Sequence, residues 1–509
     1  MSIDPKHKQL IIQGILVVTL TLIFILCWIY VIPAEDAVIL YEHSKHLAQE
    51  GVISYGGATL PSEGATDFLW MCLIALMEYL HIESFASSLI LNFFASLLFL
   101  RLFPNKERLI ILAALLVTPY FYSSLHGFSS ILFATIYSWS IYFALQHRTK
   151  ELSLMLLALC LVRPDGVVWG FGLMMYQFFS KEVDKKTLIK HAALYLTLPG
   201  LAYFAWRFWY FGHILPLPFY VKAGGERDLG PFWLESLYVI KLATMPIIIA
   251  ILSGRNIKAN AKLFFAFFIA PILFYSSMQL EQNVGNRFVA PMFFGTLILL
   301  SMRNRKISLI IFIGLSVFLS KQVTQFTFNA LLTSQNENIY KLSKELSTID
   351  GKLLTTEAGR LAYYSLWRTH DSWGLNSPQY TFELISPDDI LREKYDLVVA
   401  HCNLYNLTTQ RSKTKKSRTW QNMCRNITIA VKDPSYKIFL VPYLATSDTN
   451  CRRHDIFAVR QNSKNSKAIE AILKKYNSIN FNANNPYTMT GDTVCGFDKA
   501  SKSGLAQPI

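Results

Sequence analysis

Apolar residues are spread unevenly along this chain. From Leu10 to about Ser320 they fall in long runs separated by short polar connections. Beyond that point the sequence turns polar and rich in Lys, Asn, Ser and Thr. A run that can cover ~30 Å of hydrocarbon at 1.5 Å per residue is long enough to cross a bilayer. On that basis spans are expected over 10–32, 84–101, 108–122, 128–145, 151–162, 164–180, 191–211, 232–252, 262–279, 288–302 and 306–320. The stretch 67–80 is too short to cross and is expected to lie at, or dip into, the outer face. The first run exceeds a signal-peptide core and lacks a small-x-small cleavage pattern, so it reads as an uncleaved first helix. The expected fold is a polytopic α-helical membrane domain over 1–320, with about eleven spans and a structured first outer loop over 33–66. A soluble domain follows over 321–509.

In the second part the period changes. Short β-type runs, Tyr395–Ala400 (YDLVVA) and Tyr436–Tyr443 (YKIFLVPY), alternate with helical stretches such as Lys467–Tyr476. This pattern predicts an α/β or α+β domain. Residues 401–431 carry six Lys and Arg and no acid, which reads as a solvated basic loop. No internal repeat is present.

Composition sharpens the division. The chain is 52% hydrophobic and only 16% charged, with a mean hydropathy of +0.29, too apolar for an ordinary soluble enzyme. The net charge of +15 first suggests nucleic acid, but most basic residues of the first part sit in short loops between apolar runs, where they set topology. One set of alternate loops holds Lys6, Lys8, Arg101, Lys106, Arg108, Arg148, Lys150, Lys181, Lys185, Lys186, Lys190, Arg255, Lys258, Lys262, Arg303, Arg305 and Lys306. The other set holds only Lys45, Arg163, Lys222, Arg227 and Arg287. The positive-inside rule therefore puts the N-terminus in the cytoplasm and residues 321–509 outside. Cys27, Cys72 and Cys160 lie in or beside apolar segments as packing residues. Cys402, Cys424, Cys451 and Cys495 lie in the soluble part, where an oxidising compartment predicts two disulfides. Pairing in sequence order is one of three connectivities and is the expected one.

The outer loops carry the candidate chemistry. Glu35 and Asp36 follow the first helix directly. Two adjacent acids at a membrane surface can bind a metal, act as a general base, or simply help retain topology. An amphipathic helix over about 35–49 comes next, then Gly51, Gly56-Gly57, Pro61, Glu63-Gly64 and Trp70; so long an outer loop is costly to order unless it shapes something. Arg163 stands in LVRPDGVVWG, Arg207 in WRFWYFG, Lys222 after LPLPFYV and Arg287 in GNRFVAPMF. Cations near a bilayer are expensive to keep. Several on the translocated side point to an anionic partner such as a lipid phosphate, which Arg binds bidentately and Lys as a point charge. Snorkelling is the plainer reading for any one of them.

These residues, taken in order, resemble the GT-C superfamily, and within it the branch of bacterial terminal arabinofuranosyltransferases. Glu35-Asp36 stands at the acid pair of that branch and Lys45 at an arginine of the following helix. Gly51, Glu63, Gly64, Thr66, Leu69 and Trp70 match the second half of its first outer loop. Arg163-Pro164-Asp165-Gly166 matches its arginine-proline-acid-glycine motif. Arg207, Tyr210, Gly212, Pro216, Phe219, Tyr220, Lys222, Gly224 and Gly225 match a further stretch, and Arg287, Phe288 and Pro291 another. TTEAGRLAYYSLWRTHDSWGLNSP is similar to its outer-domain segment through Glu357, Gly359, Tyr363, Tyr364, Asp371 and Gly374. The chain departs from the branch at Glu35, where an aspartate is usual, at Glu42 in place of an arginine, and at Ser129, where an acid is missing.

The resemblance implies a bacterial inner membrane and so a periplasmic C-terminal domain. It implies a hexosyl- or pentosyltransferase with a polyprenyl-phosphate sugar as donor and a periplasmic glycan or lipid as acceptor, transferring with inversion. It implies Asp36 or Glu35 as general base. Arg163, Arg207, Lys222, Arg287 and Lys45 would hold the leaving phosphate, and Glu63, Trp70 and Tyr220 would line the substrate loop. Some superfamily members place a divalent metal at the acid pair, here Glu35 and Asp36; no other cofactor, and no nucleic acid partner, is implied. The departures leave a second reading, a non-catalytic scaffold of an envelope machine that retains the same fold.

Overall fold

The computed structural model describes residues 5–58, 60–223, 231–253, 257–278, 280, 283–303, 305–334, 337–402, 417–442, 454–476 and 478–480. Every expected span coincides with a helix, but the count of eleven does not survive. Among the described residues, three helices are long and apolar enough to cross a membrane, Gln9–Tyr30, Val284–Met302 and Lys306–Leu332. Two bent pairs bring the number to at most five: Phe68–Tyr79 with Ser84–Leu100, folded by 119°, and Asn105–Leu116 with Pro119–Leu125, folded by 75°. Shorter apolar helices occupy Ser130–Leu145, Gly166–Phe179, Ser236–Leu252 and Ala261–Ser276. Hydropathy sees an unbroken run where the backbone turns. Thr118, for example, is extended (φ −116°, ψ 154°) because the residue before Pro119 avoids the helical region.

The helix Pro5–Tyr30 (α1) leaves most of its apolar side chains exposed, as a lipid-facing helix should, whereas the window Val284–Met302 is 78% buried at the centre of the bundle. After α1 come Glu35–Glu50 (α2), Phe68–Tyr79 (α3) and Ser84–Leu100 (α4). The last membrane helix does not stop at 320. It continues to Thr333 because Ser320, Thr327, Ala330 and Leu331, all buried, prolong a helical stripe into the polar part of the chain. The elements of the second domain therefore begin at Asn338.

That domain is built on a sheet of six strands: β1 Lys352–Thr355, β2 Arg368–Asp371, β3 Leu397–Ala400, β4 Tyr436–Pro442, β5 His454–Arg460 and β6 Ile479–Asn480, in the order β2-β1-β3-β5-β4-β6. β1 runs parallel to β2 and β3; β5 is antiparallel to β3 and β4, and β6 to β4. Successive residues serve opposite faces. Val398 and Ala400 pack in one core with Ile438 and Ile456, while Leu397 and Val399 pack in the other with Phe439 and Phe457. Helices thus cover both faces, which is why YDLVVA reads as a continuous apolar run rather than an alternating one. Cys402, just after β3, is disulfide-bonded to Cys424 in the helix Trp420–Val431, as expected from sequence order; Cys451 and Cys495 lie outside the described residues.

The first outer loop lies on the sheet domain. The Thr369 N–H in β2 donates to the Gly56 carbonyl at 3.0 Å, and the Tyr55 hydroxyl to the Ala358 carbonyl at 2.6 Å. At the head of α2, the amides of Gly359 and Arg360 donate to the Glu35 carboxylate at 2.6 and 3.1 Å. Gly359 presses so close to the Glu35 carbonyl that a Cβ there has no room. The Arg360 guanidinium donates to the Pro33 carbonyl at 2.8 Å and pairs with Glu337.

Candidate active site

Adjacent helical residues point about 100° apart, so the two acids at the start of α2 serve different neighbours. Glu35 faces the sheet domain, and its oxygens are taken by the Gly359 and Arg360 amides. Asp36 faces the membrane domain, where its Oδ2 lies 3.1 Å from Arg287 Nη2. Its side chain is 32% exposed, while that of Arg287 is 8% exposed. The two carboxylates therefore point to different partners, and no group of three or more His, Cys, Asp or Glu side chains placed to hold a metal ion occurs among the described residues.

Arg287 reaches Asp36 through an unusual backbone. Gly285 and Asn286 both adopt left-handed φ values of 62° and 55°, which interrupts the helix and turns the next side chain inward. Gly285 also abuts the Pro119 carbonyl too closely for a Cβ. The guanidinium stacks 3.7 Å above the Phe128 ring centre, a cation–π contact suited to Arg. Its Nε and Nη1 are buried without a hydrogen-bond partner among the described residues. A buried guanidinium with unfilled donors beside a carboxylate is suited to receiving an oxyanion.

Arg163 sits in the same region but is already matched by acids. It forks onto Asp165 at 3.0 and 3.1 Å and lies 4.0 Å from Asp67 Oδ2. The Tyr275 hydroxyl donates to Asp165, and the Trp169 indole N–H donates to Tyr275 at 3.2 Å. The Ser129 hydroxyl donates to Asp67 at 2.7 Å. Burial holds the Asp67 carboxyl above its ordinary range, against the pull of Arg163 and Ser129, and Asp165 adds to the rise. Asp67 escaped the sequence reading, and Ser129 entered it only as a departure from the branch. One signal was available: the acid missing at Ser129 has its counterpart in Asp67, whose carboxylate rests against that hydroxyl.

The other expected site residues lie elsewhere. Arg207 makes a buried bidentate pair with Glu63 and donates to the Ile214 carbonyl at 2.6 Å, so it fastens the first outer loop to the helix Leu198–Phe211. Lys45 is nine positions beyond Asp36, half a helical turn round to the opposite face of α2, with its ammonium 5.5 Å from the Tyr363 ring centre. Lys222 is exposed, and Gly224 and Gly225 lie outside the described residues. Trp70 is buried in the membrane-domain core. Tyr220 packs against Phe382 of the sheet domain, with ring centres 5.3 Å apart. The structure thus gathers Asp36, Arg287 and Arg163 and disperses Arg207, Lys222, Lys45, Glu63, Trp70 and Tyr220.

No protein-family model matches the chain, and no curated protein matches it. Among solved structures, the crystal structure of ArnT from Cupriavidus metallidurans in the apo state aligns over 87% of this chain and 97% of its own, with a TM-score of 0.54 at 10% identity. The chain therefore shares the overall fold of that protein, apolar helices joined to a second domain.

Proposed function

We propose that the chain is a membrane glycosyltransferase of the GT-C type, moving a hexosyl or pentosyl group from a polyprenyl-phosphate donor to a periplasmic glycan or lipid. The observation that carries this reading is the 3.1 Å approach of Asp36 to Arg287, whose remaining donors are unfilled. The ArnT-like fold supports it, as does the ordered run of motifs in the sequence.

In this reading Asp36 takes the proton of the acceptor hydroxyl as that oxygen attacks the anomeric carbon. The bond to the phosphate oxygen breaks, the configuration inverts, and the free donors of Arg287 receive the growing phosphate charge, an interaction strongest in the transition state. Arg163, held by Asp165 and matched by Asp67, braces the region beside Arg287 rather than adding net charge to it. Glu35 docks the sheet domain and takes no proton. The likeness to the arabinofuranosyltransferase branch suggests a pentose.

Mass spectrometry of envelope glycans and extracted lipids, with and without the gene, tests the proposal. The expected result is loss of one sugar from a defined glycan or lipid and accumulation of its polyprenyl-phosphate donor. Unchanged glycans and lipids would leave the scaffold reading in its place. Within the site, Arg287→Lys keeps the charge but loses the fork. Transfer is expected to fall about tenfold, through kcat more than KM, because the missing contacts matter most as phosphate charge develops.

A further inference from the structure

A cavity opens at the end of α1, with Pro33 on its edge, three residues before Asp36. It encloses about 340 Å³ between the end of α1, the start of α4 and the helix Asn338–Leu346 of the sheet domain, a size at the lower end of small-ligand sites. Its walls carry an uncommon mixture for one pocket: Lys341, Lys344 and Glu83 together with Trp28, Tyr340 and Tyr364. The Lys344 ammonium stands 4.3 Å from the Tyr340 ring centre and 5.5 Å from that of Tyr364. Burial pushes the Glu83 carboxyl above its ordinary range, while the Trp28 indole N–H and Lys344 oppose this, so Glu83 gains from a cation brought beside it.

The position is as telling as the lining. Trp28 stands at the end of the spanning helix Gln9–Tyr30, the depth at which Trp and Tyr mark the boundary between hydrocarbon and headgroups. Beneath it Leu22, Ile25, Leu26 and Ile29 are all exposed. Their spacing makes one apolar stripe that leads up α1 to the cavity, which Ile29 itself helps to line. An acyl chain on that stripe carries its headgroup into the cavity.

We infer that this cavity binds a zwitterionic phosphoethanolamine headgroup of a bilayer lipid, with Lys341 and Lys344 on its phosphate and Glu83 on its ammonium. A purely anionic headgroup would satisfy the lysines but set a like charge against Glu83. This site is independent of the glycosyltransferase reading and stands or falls without it.

The test uses the full chain reconstituted in nanodiscs from vesicles of equimolar phosphatidylethanolamine and phosphatidylglycerol, with retained lipids identified by native mass spectrometry. Phosphatidylethanolamine is expected to be enriched about tenfold over phosphatidylglycerol. The variant K341A/K344A, altered at two exposed positions, is expected to lose that retained lipid. Glu83→Gln is expected to keep lipid binding but erase the preference. Equal retention of the two lipids by the unaltered chain overturns the assignment, as does an unchanged lipid profile in either variant.

Discussion

Asp36→Asn is expected to lower sugar transfer by about 10²–10⁴-fold, the range that a positioned general base contributes, while leaving the protein inserted and folded. The amide has the shape of the carboxylate and still offers an oxygen to Arg287 Nη2, 3.1 Å away, but it cannot accept the acceptor proton. Loss of the charge beside Arg287, whose side chain is only 8% exposed, costs some stability, but the retained amide oxygen keeps the hydrogen bond and water reaches the 32% exposed Asp36 side chain, so the fold is expected to survive. Transfer of labelled sugar from a polyprenyl-phosphate donor, measured beside the thermal unfolding midpoint of the same preparation, separates the two effects. Glu35→Gln serves as the contrast. It weakens the charge-assisted bonds from the Gly359 and Arg360 amides and is expected to act on domain docking more than on chemistry. Full transfer activity in Asp36→Asn would remove Asp36 from the reaction, and if Glu35→Gln alone were inactive the two acids would exchange roles.

Much of the fold was legible, because periodicity and hydropathy are local. Each expected span found its helix, YDLVVA and YKIFLVPY became β3 and β4, and Lys467–Tyr476 became the helix Ser466–Lys475. Hydropathy alone passed over the breaks within runs, since Leu116, Val117 and Thr118 look as apolar or as neutral as a helix interior, although Pro119 marks the place where the chain turns by 75°. The functional site was legible in part. Reasoning from the cost of cations near a bilayer nominated five of them as phosphate ligands, but the same outer loops also carry acids that neutralise cations from a distance. Arg207 finds Glu63 across 144 residues of sequence, and Arg163 has both Asp165 and Asp67. Of the three nominated arginines, Arg287 is the one whose Nε and Nη1 are buried without a hydrogen-bond partner among the described residues, and nothing in its local sequence sets it apart from Arg207. What distinguishes it is the left-handed Gly285-Asn286 step and the Phe128 ring beneath, both products of tertiary structure.

Arg360→Ala is expected to destabilise the protein by about 3–5 kcal/mol, the cost of stranding a buried charge. The side chain is 3% exposed and Glu337 is 5% exposed, so neither can turn to water once its partner is gone. The same truncation removes the bond to the Pro33 carbonyl and takes a positive charge 3.9 Å away from Glu35. Pro33 and Glu35 flank Ala34 at the entrance to α2, one residue before Asp36, so slackening them moves the proposed base. Transfer activity is therefore expected to fall along with stability, although Arg360 lies on the far side of Glu35 from the reacting groups. The double variant Arg360→Met with Glu337→Leu distinguishes a stranded charge from a lost fold, because replacing a whole buried ion pair with apolar side chains is often neutral or better. Thermal unfolding should recover in the double variant to near the level of the unaltered chain. Activity should recover only in part, since the bond to Pro33 is still missing. If the single variant unfolded and worked like the unaltered chain, the sheet domain would be a passenger on the membrane domain, and the placement of Asp36 would rest on Arg287 and the bundle alone.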